Sequence, residues 1–295
     1  MASKFNFKAL SLRALFLIYF VVAIPLMYLI ISQSLIAQKN KNEYARILSF
    51  EERFLKLPSL IQLVTSKQSS LRSQADEYSS TAQSASDIVL YGGIALGLIS
   101  LGFLISIIRL FFQTPNYYQT LWYGIFGVSL ICLLIGISTP ILEILAFEDD
   151  LKIEALSFVD LPIKGEIIFY HQNKSILDVI GVLFEKGNYL VGICIFLFSL
   201  VIPFGKLILG GLSVSGYYQK EKIDNWIQKI GKWSMADVFV VAIFLSFMSF
   251  NNFNTGISTK SDTLIGFYFF LVYCMLSIYA GIVAQKHKKK MEEKL

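Results

Sequence analysis

Between Tyr189 and Leu212 the chain reads YLVGICIFLFSLVIPFGKLILGGL, a run in which Lys206 is the single charge. At about 1.5 Å per residue, a helix of that length crosses a hydrocarbon core of about 30 Å. Comparable uncharged runs occupy residues 14–36, 88–108, 121–140, 238–250 and 264–284, of which 238–250 is short and has to borrow flanking residues. Of the 295 residues, 55% are hydrophobic and only 16% charged. A soluble chain does not reach that balance, so lipid is the solvent for most of this protein. The pattern predicts an all-α membrane protein with about six transmembrane helices and excludes a soluble enzyme.

The first run follows Lys4, Lys8 and Arg13, as a signal peptide would. Its apolar length exceeds the roughly 7 to 15 residues of a signal core, which points to an uncleaved anchor. Cys132, Cys194 and Cys274 sit alone in three different runs, and the histidines are His171 and His287. That distribution offers neither a disulfide framework nor a zinc site. No nucleophile, metal cluster or phosphate loop has usable spacing, so neither an enzyme activity nor a cofactor is expected, and nucleic acid is not an expected partner.

Lys and Arg nearly balance between the two sides of the membrane, so orientation rests on density. Charges are dilute in the long loops 37–87 and 145–188 and dense directly after the last run, at Lys286, Lys288, Lys289 and Lys290. Both termini are therefore expected in the cytoplasm of a multi-pass inner-membrane protein. The expected domains are an N-terminal transmembrane hairpin (1–112) with a helical outer loop (37–87), a four-helix domain (113–285) and a basic tail (286–295).

In the outer loop, apolar or small residues recur in 3,4 alternation from Ile47 through Phe54, Ile61, Leu71 and Tyr78 to Ala85, with Gln68 at one seam position. Pro58 interrupts the stripe, which predicts two helices folding back on each other. They either pack together or dock an envelope protein. The second run carries Gly93 and Gly97 in GxxxG spacing, read as helix packing more than dimerisation. Farther on, alternation over 151–159 and β-formers over 166–170, around a turn at Pro162 to Gly165, predict a small β-hairpin on the outer face. Ser175 and Asp178 form a Ser-x-x-Asp cap for a helix ending near Gly187 and Asn188. Ile223, Trp226, Ile227 and Ile230 share one face of a basic segment suited to an anionic membrane surface. Phe269 is expected to face lipid.

Charged side chains in lipid cost roughly 2.5 to 3.5 kcal/mol each on insertion scales, so those in the runs call for a partner or a function. Lys206 lies three residues after Pro203, and Asp237 lies at the start of the fifth run. By helical rise both are close enough to one boundary to meet across adjacent helices. Ser199 shares the Lys206 face, Ser234 shares the Asp237 face, and Ser277 and Ser246 are further candidates for a polar track. The competing reading is that Lys206 snorkels to the headgroups while Asp237 caps its helix. Pro203 favours the first, because its missing N–H frees a carbonyl one turn earlier, near Ser199. Glu143, after Pro140, reads as an interface residue.

The string Gly231-Lys-Trp-Ser-Met-Ala-Asp-Val-Phe-Val240, with Ser175-Ile-Leu and Ile202-Pro-Phe-Gly-Lys-Leu207, resembles the paraquat-inducible protein A family of bacterial inner-membrane proteins. The resemblance covers residues 121–284, one copy of that family's four-helix unit. It implies a tetraspanin-like bundle whose first outer loop is β-rich, and a role in moving phospholipids between the inner membrane and periplasmic MCE-type proteins. Carried over by position, Ser199, Pro203, Lys206, Ser234 and Asp237 would form the polar centre of transport, with Trp233 and Met235 at its rim. Better-known members carry two units and cysteine-rich zinc ribbons. Here there is one unit, no ribbon and an added hairpin, so a homo-oligomer or the hairpin itself would have to supply the missing surface. Two further functions compete: a scaffold recruiting an envelope protein through the helical outer loop, and a proton-coupled small-molecule transporter.

Overall fold

A computed structural model of the chain describes residues 2–49, 67–112, 114, 116–148, 167–214 and 258–292. Its elements are α1 (Ala2–Ile47), α2 (Lys67–Phe111), α3 (Tyr117–Ser138), β1 (Leu142–Glu148), β2 (Ile167–Lys174), α4 (Ile176–Glu185), α5 (Tyr189–Phe196), a π-helical turn (Leu197–Val201), α6 (Ile202–Val214), β3 (Ser258–Thr263) and α7 (Ile265–Glu292). Five helical stretches among the described residues are long and apolar enough to cross a membrane: α1, α2, α3, the continuous α5–α6, and α7. The expected sixth run, 238–250, lies outside the described residues, as do 151–159 and the basic amphipathic segment around Trp226.

α3 is the axis of the bundle. Of its 22 residues, 14 are buried, including Trp122, Ile125, Leu133 and Ile135. α1 and α2 instead turn Leu17, Ile18, Tyr28, Tyr91 and Leu98 outward. A helix apolar on all sides is one whose outer surface meets lipid, and these helices fit that rule. Since lipid tails are as apolar as leucine, helices here gain by close packing, which small residues allow. A Cβ on Gly136 would sit 2.8 Å from the Phe270 backbone nitrogen, and one on Gly266 would sit 2.5 Å from the Thr139 carbonyl oxygen. Those two contacts make α3 and α7 antiparallel neighbours with touching backbones. Across the hairpin, Tyr19 stacks on Phe103 with centroids 4.1 Å apart, and its hydroxyl meets Ser100 Oγ at 3.0 Å.

The GxxxG pair divides. A Cβ on Gly93 would lie 3.1 Å from Ile265 Cδ1, whereas one on Gly97 would meet nothing among the described residues within 4 Å. Phe269 packs against the same Gly93 and is buried, not lipid-facing as its run alone suggested.

The β structure among the described residues is a three-stranded antiparallel sheet in the order β2-β1-β3; one expected hairpin strand falls in β2, and the other, 151–159, is outside the described residues. Its central strand, Leu142–Glu148, follows α3 almost directly, and its third strand comes from just before the last helix. Glu143 pairs with Asn173 on one side and Asp262 on the other. Strand β2 agrees with the expected β-formers. The alternation rule missed β1 because Ile144, Leu145, Ala146 and Phe147 read as apolar continuation of the third run. Ser175 caps α4 as expected, in a reciprocal capping box with Asp178, and Gly187, past its end, takes a positive φ of 76°.

In the outer loop α1 continues to Ile47 and α2 starts at Lys67, while residues 50–66, with Pro58 and the stripe around it, lie outside the described residues. Ala45, Leu48, Ala75 and Ile168 form a second small core that leans the hairpin on the sheet, and Ile168 N–H donates to the Leu48 carbonyl at 3.1 Å. The sheet therefore caps one end of the bundle. α6 ends at the other, where Trp122 packs against Gly210 and Gly211.

Candidate functional site

Pro203 shapes its own helix. A proline in a helix clashes with the carbonyl four residues back and leaves it without its donor; here that residue is Ser199. The helix widens into the π turn at Leu197–Val201, and Ile202 N–H reaches back to the Leu197 carbonyl. Such turns interrupt the regular ladder and re-aim side chains. Ser199 is buried within this one, Pro203 is buried a turn later, and Lys206 is partly buried beyond it. The structure thus places three of the five expected site residues on one interior stretch. Ser234 and Asp237, with Trp233, Met235 and Ser246, lie outside the described residues.

Two more hydroxyls join this level. Ser129 on α3 and Ser277 on α7 are 0% and 1% exposed, and neither Oγ has a hydrogen-bond partner among the described residues. Both stand seven residues from the Gly136–Phe270 contact, in opposite chain directions along antiparallel helices, so they share a height about 10 Å below it. Counting likewise from the Gly210–Trp122 contact, Pro203 and Ser129 are each seven residues away, at the same height. α3, α6 and α7 therefore hold Ser129, Pro203 and Ser277 at one depth, with Ser199 one turn nearer the sheet. A buried hydroxyl left without a partner costs about 1–3 kcal/mol, and such groups in an apolar bundle are rare enough to need a reason. Ser129 was missed in the sequence because a lone serine inside an apolar run carries no periodic signal.

A second polar assembly joins α1 to the sheet. Gln38 Nε2 donates to the Asn173 carbonyl at 2.9 Å and to Asp178 Oδ2 at 2.8 Å. One turn on, Lys41 Nζ donates to Glu143 Oε2 at 2.5 Å, while His171 Nε2 meets Glu143 Oε1 at 3.0 Å. Burial pushes the Glu143 carboxyl up, but the His171 hydrogen bond and the Lys41 charge outweigh it and hold the group below its ordinary value. Asp178 behaves alike: burial raises it, and the hydrogen bonds from Gln38 and Ser175 bring it below the usual range. Glu143 is accordingly the hub of a clamp, more than the interface residue the sequence suggested. Lys41 and Gln38 left no local signature, because their partners lie more than a hundred residues away. No group of three His, Cys, Asp or Glu that could hold a metal occurs among the described residues.

None of the curated proteins matches the chain. A family model does: residues 162–288, from before β2 into the last helix, match the family described as paraquat-inducible protein A.

Proposed function

We propose that the protein moves phospholipids between the bacterial inner membrane and a periplasmic MCE-type partner, with both termini cytoplasmic and the sheet on the periplasmic side. The observation that carries this reading is the depth shared by Ser129, Pro203 and Ser277 beside the π turn of Ser199. It is a polar patch enclosed by helices whose outer surfaces suit lipid. A headgroup crossing a bundle needs such hydrogen-bonding partners, because in hydrocarbon it has no others. In this reading partly buried Lys206 offsets a phosphate, and Asp237, within the matched residues 162–288 but outside the described ones, offsets an ammonium. The test is lipid transfer from labelled inner-membrane vesicles. Lys206→Ala and Asp237→Asn are expected to abolish transfer while the protein stays folded in the membrane; wild-type transfer by both would refute the polar path.

A second reading is a scaffold, favoured by one feature. α2 begins at Lys67, 21 residues before the apolar run at 88, so it projects roughly 30 Å past that run. A docking role predicts that charge placed at exposed Tyr78 disrupts function while Lys206→Ala does not.

A further inference from the structure

A cleft of about 220 Å³ opens between α1, α2, the start of α7 and the edge of the sheet. It borders the α1–sheet assembly, whose Gln38, Lys41 and Asn173 line it, and is separate from the serines inside the bundle. Among the described residues Lys41 is the one charged group lining it, and Asn173 lines it as well. Asn173 is 2% exposed and its Oδ1 has no hydrogen-bond partner among the described residues, which marks a buried acceptor in need of a donor. Ala37, Val89 and Ile265 give the cleft apolar walls, and Leu90 and Tyr268, which also line it, are exposed. Lined by both polar and apolar groups, the cleft lies just past the end of α3, at Pro140, the depth of a headgroup boundary.

We propose that this cleft holds the zwitterionic phosphate-ester headgroup of a membrane phospholipid, its phosphate against Lys41 and its ammonium or hydroxyl donating to Asn173 Oδ1. The acyl chains leave past Leu90 and Tyr268 into the bilayer. This rests on the lipid-handling function proposed above. The volume is that of a headgroup and is too small for two acyl chains. Charge balance selects the class. Lys41 is already paired with Glu143, so a free dianion would lie near an ionised carboxylate with only one shared cation to offset both. A headgroup that brings its own donor satisfies Asn173 as well as Lys41. Because α1 and α2 lie outside the family match, the site is formed jointly by the added hairpin and the matched domain.

The experiment places a diazirine amino acid at Leu90 in the full chain, reconstituted in phosphatidylcholine vesicles doped with radiolabelled phosphatidylethanolamine. The same probe at Ser199 and at exposed Met275 reports the bundle interior and the annular lipid. Capture at Leu90 is expected to fall about tenfold in Ser86→Trp, which fills the cleft while keeping both Lys41 and Glu143 in the chain, and in Asn173→Leu, with Met275 capture unchanged. Undiminished capture at Leu90 in both variants overturns the cleft site, and retained capture at Ser199 then leaves the bundle path intact. Loss at Ser199 with a cleft-dependent signal at Leu90 keeps the site and removes the path. Displacement of the label by water-soluble glycerophosphoethanolamine would overturn the membrane lipid as the ligand.

Discussion

At the α3–α7 contact glycine meets backbone, and at the α1–sheet contact lysine and glutamine meet carboxylates and a carbonyl. The two contacts sit within a few turns of each other, yet their chemistry follows the surroundings. Inside the bundle lipid competes equally for apolar side chains, so helices gain most by touching backbones. Toward the sheet, partly exposed side chains can be charged, and a clamp of half-buried ions becomes affordable in desolvation terms. The first contact is rigid and indifferent to solution conditions. The second can be titrated, broken one bond at a time, and rebuilt.

The largest effect is expected from Gly136→Leu. Its side chain has to displace the Phe270 backbone, which no rotamer change relieves, at a cost of about 3 kcal/mol. A thermal melt in detergent checks it, and an unchanged midpoint would erase the difference between the two contacts. Next is Glu143→Gln, which leaves Lys41 without its carboxylate. Combined with Lys41→Gln in a double-mutant cycle, the melts should give a coupling of about 1–2 kcal/mol, discounted because both groups keep some solvent.

Acid is the gentler form of the same cut. The folded Glu143 group titrates below its ordinary value of 4.5, so its stabilisation is complete above that pH and is lost as pH falls through the lower folded value. Melting temperature is expected to hold from neutral to about pH 5 and drop below it, more steeply in wild type than in Glu143→Gln. Equal slopes would remove Glu143 from the joint. Ser175→Ala, losing one half of the α4 capping box, should cost about 1 kcal/mol. The smallest effect is Gly97→Ala: with open space around it, the change should stabilise α2 by at most about 1 kcal/mol through helix propensity. A destabilised Gly97→Ala would place an unseen helix against that face.

Much of this was legible in residue order, and the failures have physical causes. Run lengths reveal the crossing helices because the hydrocarbon core fixes how many apolar residues each needs. Ser175 and Asp178 announce their cap because both partners lie within one turn. Pro203 likewise foretells the disturbance at Ser199, four residues away. By contrast, β1 hides in apolar sequence, and Phe269 turns inward because of a glycine on another helix. Lys41 gives no sign of Glu143, nor Ser129 of Ser277, since each pairing or shared depth is created by the fold. Local rules find elements; the sites lie where elements from distant parts of the chain meet.

The polar depth inside the bundle is tested most directly by photo-crosslinking from Ser199, with Met275 as the lipid-facing control, in membranes carrying radiolabelled phospholipid. Capture at Ser199 that disappears in Asp237→Asn, while Met275 capture persists, is the expected result. Labelling at Met275 alone would mean that lipid only bathes the outside of the bundle, and the buried serines would be packing residues with no part in transport.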